Sequence, residues 1–151
     1  MSRPLQFCTF FLERHCFGID LLEVQEIIRF QPLTRVPLAP RALTGLINLR
    51  GQVVTAIDLR ERLDLPLRPA DEEPMNIVIR TPDGAVSFLV DCIGEVCPAE
   101  TENFEPVPET LTGPVRELVT GVQKLPDRLL LILDAIKAAT LSIQTALATP
   151  I

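Results

Sequence analysis

The sequence predicts a mostly β protein: two five-stranded SH3-like barrels intertwined across an internal duplication, with short helices and a C-terminal amphipathic helix. Three observations predict it. The chain repeats itself: residues 44–59 (T-G-L-I-N-L-R-G-Q-V-V-T-A-I-D-L) and 120–135 (T-G-V-Q-K-L-P-D-R-L-L-L-I-L-D-A) align without a gap. They share Thr44/Thr120, Gly45/Gly121, Leu49/Leu125 and Asp58/Asp134, and Phe17–Val24 matches Phe88–Val96 with one residue inserted. An offset of about 70–76 residues exceeds a solenoid period and marks a duplicated small domain. Next, short runs rich in Val, Ile, Phe and Thr are divided by Pro, Gly and Asp, the pattern of many short strands. Finally, strands this short expose edges that closure into barrels removes. Each half alone buries too little surface to be stable, so the halves pack together or exchange strands.

Taken in order, the candidate strands are Leu5–Leu12, Cys16–Ile19, Glu23–Arg29, Leu43–Leu49, Gln52–Ile57, Asn76–Arg80, Ala85–Val90, Gly94–Cys97, Leu118–Gln123 and Arg128–Leu133. The first, Leu5–Leu12, is expected to pair in the barrel of the second copy, which begins late and lacks a strand. Thr81-Pro-Asp-Gly84 reads as a turn, because proline presets φ and glycine accepts the left-handed position. Arg50-Gly51 and Pro126-Asp127 occupy equivalent hairpin tips. Asp58-Leu-Arg-Glu61 has capping-box spacing for a short helix to about Leu63, and Asp20-Leu-Leu-Glu23 caps a single turn in the same way. The proline-rich, acidic stretch Asp64–Pro74 divides the copies, and Pro98–Pro114 reads as coil with one helical turn. After Asp134, the stripe Ile132, Ile136, Ala139, Ile143 and Leu147 predicts an amphipathic helix lying on the barrels. The expected organisation is one domain over 5–137, with barrel one about 17–63, barrel two about 76–134 plus strand 5–12, and a helix and tail over 138–151.

Net charge −6 with a pI near 4.8 argues against nucleic acid, which needs a basic face. The apolar stretch Leu5–Leu12 lacks the cleavage region of a signal peptide, and no run is long enough to span a membrane, so direct membrane insertion is not expected and a cytoplasmic protein is. Cys8, Cys16, Cys92 and Cys97 have neither C-x-x-C nor disulfide-framework spacing and read as small buried hydrophobes. The single histidine, His15, lies beside Cys16, but neighbours on an extended chain point to opposite faces, which fits a surface turn better than a nucleophile pair. Asp58 and Asp134, equivalent in both copies and each preceding a helix, read as N-caps rather than a catalytic pair, each worth on the order of 1 kcal/mol. No enzyme, cofactor or metal is expected. A hydrophobic fraction of 47% and a mean hydropathy of +0.28, without tryptophan or tyrosine, suggest apolar surface kept for partners.

Departures between the copies point to function. Val24-Gln25-Glu26-Ile27 stands where the second copy has Val96-Cys97-Pro98-Ala99, and Arg50-Gly51 stands where it has Pro126-Asp127. The pair Glu26 and Arg50 therefore exists only in copy one and is expected at or near salt-bridge distance on the surface. At these residues, with Thr34-Arg-Val-Pro37, the Asn48-Leu-Arg-Gly-x-Val-x-x-x-x-Asp-Leu-Arg60 string and Leu89-Val-Asp-Cys-Ile-Gly-Glu-Val96, the chain resembles the CheW family of bacterial chemotaxis coupling proteins over about residues 5–137. The resemblance implies two intertwined five-stranded SH3-like barrels with a groove between them. It implies a scaffold, associated with membrane receptor arrays, that joins the cytoplasmic tips of methyl-accepting chemoreceptors to the regulatory domain of a CheA-type histidine kinase. Carried over by position, Val24 and Glu26 fall at partner contacts, Arg50 and Gly51 on a turn needed for receptor coupling, and Gly45 on a glycine whose backbone stays unobstructed. Val24, Ile27 and Val36 are then the aliphatics expected to receive a receptor's helical hairpin. Three readings stay open beside it: an adaptor of a non-flagellar pathway serving pilus motility or gene expression, a detached kinase regulatory domain, and a small-molecule or metal enzyme. The chain starts at Met1 and contains neither ATP-binding glycines nor a phosphotransfer histidine, which favours a free-standing protein.

Overall fold

The computed structural model describes residues 4–139. Eleven strands form two sheets: β1 Gln6–Leu12, β2 His15–Asp20, β3 Val24–Ile28, β4 Leu43–Leu49, β5 Gln52–Asp58, β6 Met75–Thr81, β7 Gly84–Val90, β8 Cys92–Pro98, β9 Phe104–Glu105, β10 Val119–Lys124 and β11 Leu129–Leu133. Two short helices, α1 Leu59–Arg62 and α2 Gly113–Leu118, interrupt them. Sheet one has the order β3-β6-β7-β5-β4, and sheet two β8-β1-β2-β11-β10-β9.

The strand exchange reaches further than the N-terminal strand alone. β1 does pair antiparallel with β8, but β2 goes with it and lies parallel to β11, Phe17 opposite Leu131. In return β6 pairs antiparallel with β3, and β7 lies parallel to β5. Thus 15–20 and 75–90 sit in the opposite sheets from those expected. The reason is local. Glu13-Arg14, with Glu13 at φ 58°, closes β1–β2 as a two-residue hairpin, and Gly84 at φ 120° lies at the β6–β7 turn. Antiparallel strands joined this tightly move as one unit.

Burial follows the exchange. The largest apolar cluster joins the two swapped hairpins and fills the seam between the sheets, with Phe10, Leu12, Phe17 and Ile19 against Ile77, Ile79, Phe88 and Val90. Phe10 and Phe17 stack with ring centroids 5.8 Å apart. Two smaller clusters belong to single sheets: Ile47, Leu49, Val54, Ala56 and Val78 in sheet one, and Phe7, Cys16 and Leu130 in sheet two. Each large side chain so buried contributes about 1.5–3 kcal/mol, so the seam is the main source of stability.

The N-cap expectations hold for both aspartates: Asp58 accepts the Arg60 amide at 3.0 Å, and Asp134 the Lys137 amide at 3.0 Å. Asp20 caps the 3-10 turn Leu21–Glu23. The helical turn expected in 98–114 is the 3-10 turn Thr101–Asn103, whereas β9 and the start of α2 had no sequence counterpart. The two-residue strand β9 is too short for any periodicity, and α2 starts on Gly113 and Pro114, where proline is tolerated because its missing N–H would be unpaired anyway. Residues 135–139 are helical, but the face they bury is Ala135, Ala138 and Ala139, with Ile136 only half-buried. Alanine lets the helix backbone sit close to the seam; Ile132 belongs to β11, and Ile143 and Leu147 lie outside the described residues. Cys8 and Cys16 are buried, whereas Cys92 is exposed because β8 is an edge strand. No helix among the described residues is long and apolar enough to cross a membrane.

Candidate interaction surface

Sheet one ends on β3 at one edge and β4 at the other. No ladder joins those edges; a side-chain pair does. At the β4–β5 tip Arg50 has φ 53° and Gly51 φ 84°, the double left-handed geometry of a type I′ turn, whose twist matches the flanking strands. Asn48 Oδ1 accepts the Gly51 amide at 2.8 Å and braces the tip. From it Arg50 donates Nη1 to Glu26 Oε2 at 2.7 Å and Nη2 to Glu26 Oε1 at 2.6 Å, a bidentate fork across the seam of the sheet. The Arg50 side chain is 71% exposed, while Glu26 is largely covered at 19%. The Arg50 hydrogen bonds hold the Glu26 carboxyl below the usual carboxylate range, and the same pairing raises Arg50.

The remaining expected site residues divide. Ile27 is 41% exposed. Val24 is half-buried and packs against the main core, because the bulge at Gln25 shifts the phase of β3. Val36 is half-buried in the 29–42 loop. The three aliphatics do not form one open row. Gly45 is buried, and a Cβ there would lie 2.6 Å from the Thr34 carbonyl oxygen. Its bareness lets Thr34 and Leu46 exchange two hydrogen bonds of 2.8 Å, which anchor that loop. Gly45 thus sets the position of the loop. Sheet two lacks the fork: Pro98 stands where Glu26 does, and at the tip Arg128 pairs with its neighbour Asp127 at 2.7 Å. His15 is exposed while Cys16 beside it is buried.

Sequence reasoning missed a buried ionic cluster. Arg60 binds Asp91 with both Nε and Nη2, and Arg68, from the stretch read only as a divider, donates Nε to Asp91 at 2.9 Å and Nη1 to Asp58 at 3.0 Å. Burial pushes the Asp91 carboxyl upward, but hydrogen bonds from Arg60, the Glu13 amide and Arg68 outweigh it and hold the group below its ordinary value. The only local signal was an arginine among prolines and acids. Among the described residues no cluster of three or more His, Cys, Asp or Glu side chains is placed to hold a metal ion.

The profile of the CheW-like domain matches residues 6–141. The chain belongs to the CheW-like domain family. It is 33% identical over 129 residues to the chemotaxis protein CheW of Klebsiella aerogenes, covering 85% of this chain and 78% of the relative. To the chemotaxis protein CheW of Bacillus subtilis it is 34% identical over 119 residues, 79% of this chain and 76% of the relative. Its fold is similar to the crystal structure of the scaffolding protein TtCheW from Thermoanaerobacter tengcongensis, with a TM-score of 0.79, 26% identity, and 90% and 92% of the two chains covered. Both swapped hairpins and the Glu26–Arg50 seam fall within the CheW-like match.

Proposed function

We propose that this CheW-like chain is a non-catalytic chemotaxis scaffold that couples methyl-accepting chemoreceptors to a CheA-type histidine kinase at the cytoplasmic face of receptor arrays. The observation that carries the reading is the Glu26–Arg50 fork. A turn with two left-handed residues holds an exposed guanidinium in one orientation, in sheet one only. Exposed ion pairs add little to stability, so a pair built with this much local constraint is better understood as presenting a binding surface. Ile27, exposed on β3, supplies the apolar part, and Gly45 with Thr34 anchors the loop bearing Val36. Helix-in-groove recognition combines these elements: aliphatic anchors for affinity and rim charges for register.

The test is reconstitution of receptor-tip peptide, kinase regulatory domain and this chain, with binding measured for each partner. Ile27→Asp is expected to weaken one partner by about tenfold or more, the range of an interface hot spot. Arg50→Ala is expected to weaken coupling without changing the far-ultraviolet circular dichroism. Full binding by both variants would place the contacts elsewhere and end this assignment.

A further inference from the structure

The connection between the two copies carries Arg68 into the protein rather than past it. The Arg68 side chain is only 7% exposed, and its guanidinium spans two carboxylates, Asp58 at the end of β5 and Asp91 between β7 and β8. Asp91 also accepts the Glu13 amide of the β1–β2 turn at 2.7 Å, so one carboxylate ties a sheet-two hairpin to the junction. Arg60, likewise 7% exposed, completes the cluster and donates to the carbonyls of Pro66 at 3.1 Å and Leu67 at 3.2 Å. Four charges, two of each sign, therefore meet where both sheets, α1 and the connection come together. A loop needs no such anchoring merely to join two domains. A planar guanidinium fixes direction as well as distance: Arg68 turns Nε to Asp91 and both Nη atoms to Asp58.

We propose that Arg68 is a positioning residue: by bridging Asp58 and Asp91 it latches the connection across the seam and fixes the orientation of one sheet relative to the other. This rests on the scaffold reading for its consequence, since a scaffold holding two partners works only if its surfaces keep a set angle. The test uses the full chain and its Arg68→Ala and Arg68→Lys variants. Hydrogen exchange is expected to accelerate about tenfold or more in Arg68→Ala, both over 64–74 and at the Glu13 amide, with protection of β6 and β7 kept. Lysine carries the charge but not the rigid planar fork, so Arg68→Lys is expected to restore protection only in part, with exchange over 64–74 and at Glu13 between that of the unmodified chain and Arg68→Ala. In the reconstituted system each binary affinity is expected to stay within about twofold, while receptor control of the kinase falls about fivefold or more. Faster exchange confined to 64–74 makes Arg68 a packing residue and overturns the proposal, as does loss of binary binding in step with coupling. If the unmodified chain binds neither partner, the scaffold reading fails, and the Glu13 exchange still decides whether the latch exists.

Discussion

Arg50 adopts a backbone conformation that costs a non-glycine residue energy, and its side chain is spent on a single neighbour. Removing both features at once separates stability from recognition. Arg50→Gly is expected to leave the calorimetric melting temperature equal or slightly higher, because glycine tolerates φ 53° freely, while partner binding in the same preparation falls. Gly45 behaves in the opposite way. With the Thr34 carbonyl oxygen 2.6 Å from the position of a Cβ, Gly45→Ala must push the loop away, at a cost of about 1–3 kcal/mol in urea unfolding. The equivalent Gly121 has 3.2 Å to the Glu105 oxygen, so Gly121→Ala is expected to cost less. These residues were legible because the duplication gives each an internal comparison, identical where the fold demands it and different where it does not. The side on which Val24 lies is set by a bulge at Gln25, and a bulge leaves no trace in the sequence of a five-residue strand.

The two capping aspartates look alike in sequence and differ in surroundings. Asp134 caps the helical turn that follows it and its side chain does little else, so Asp134→Ala is expected to cost about 1 kcal/mol. Asp58 caps α1 and also faces Arg68, so Asp58→Ala removes a cap and one of the two carboxylates that hold a buried cation, at a greater cost of about 2–3 kcal/mol. Chemical denaturation of the two variants side by side checks the order. The caps were readable because capping is local, a side chain bonding an amide two or three residues on. The ionic cluster was not, since Asp58, Arg68 and Asp91 have no spacing that chemistry requires and meet only after the sheets form. The same distinction accounts for β9, which exists because Glu105 finds Val122 and not because its own two residues favour a strand.

Acid should loosen the molecule at its junction. The folded Asp91 carboxyl lies below its unfolded value, so its stabilisation is present above the unfolded value near 4 and is lost as pH falls through the folded one. Glu23 and Glu61, raised chiefly by burial, act with the opposite sign and gain stability as they protonate. The difference between the chain and Asp91→Asn is therefore the informative quantity. The urea midpoint of the variant is expected to be lower at neutral pH, and the gap to close as pH drops below about 4. The exchange of hairpins also has a consequence for synthesis. Sheet one has no complete set of strands until Val90 has left the ribosome, and sheet two waits for Leu133 although its first two strands are made at the very start. Sheet one, contiguous from Val24 to Val90, can assemble while the chain is still being made, but sheet two cannot, since its strands flank that segment. The nascent β1–β2 hairpin carries Phe10 and Phe17 through most of translation without the strands that will bury them, and the wait, rather than the search, sets the earliest moment at which the protein can be native.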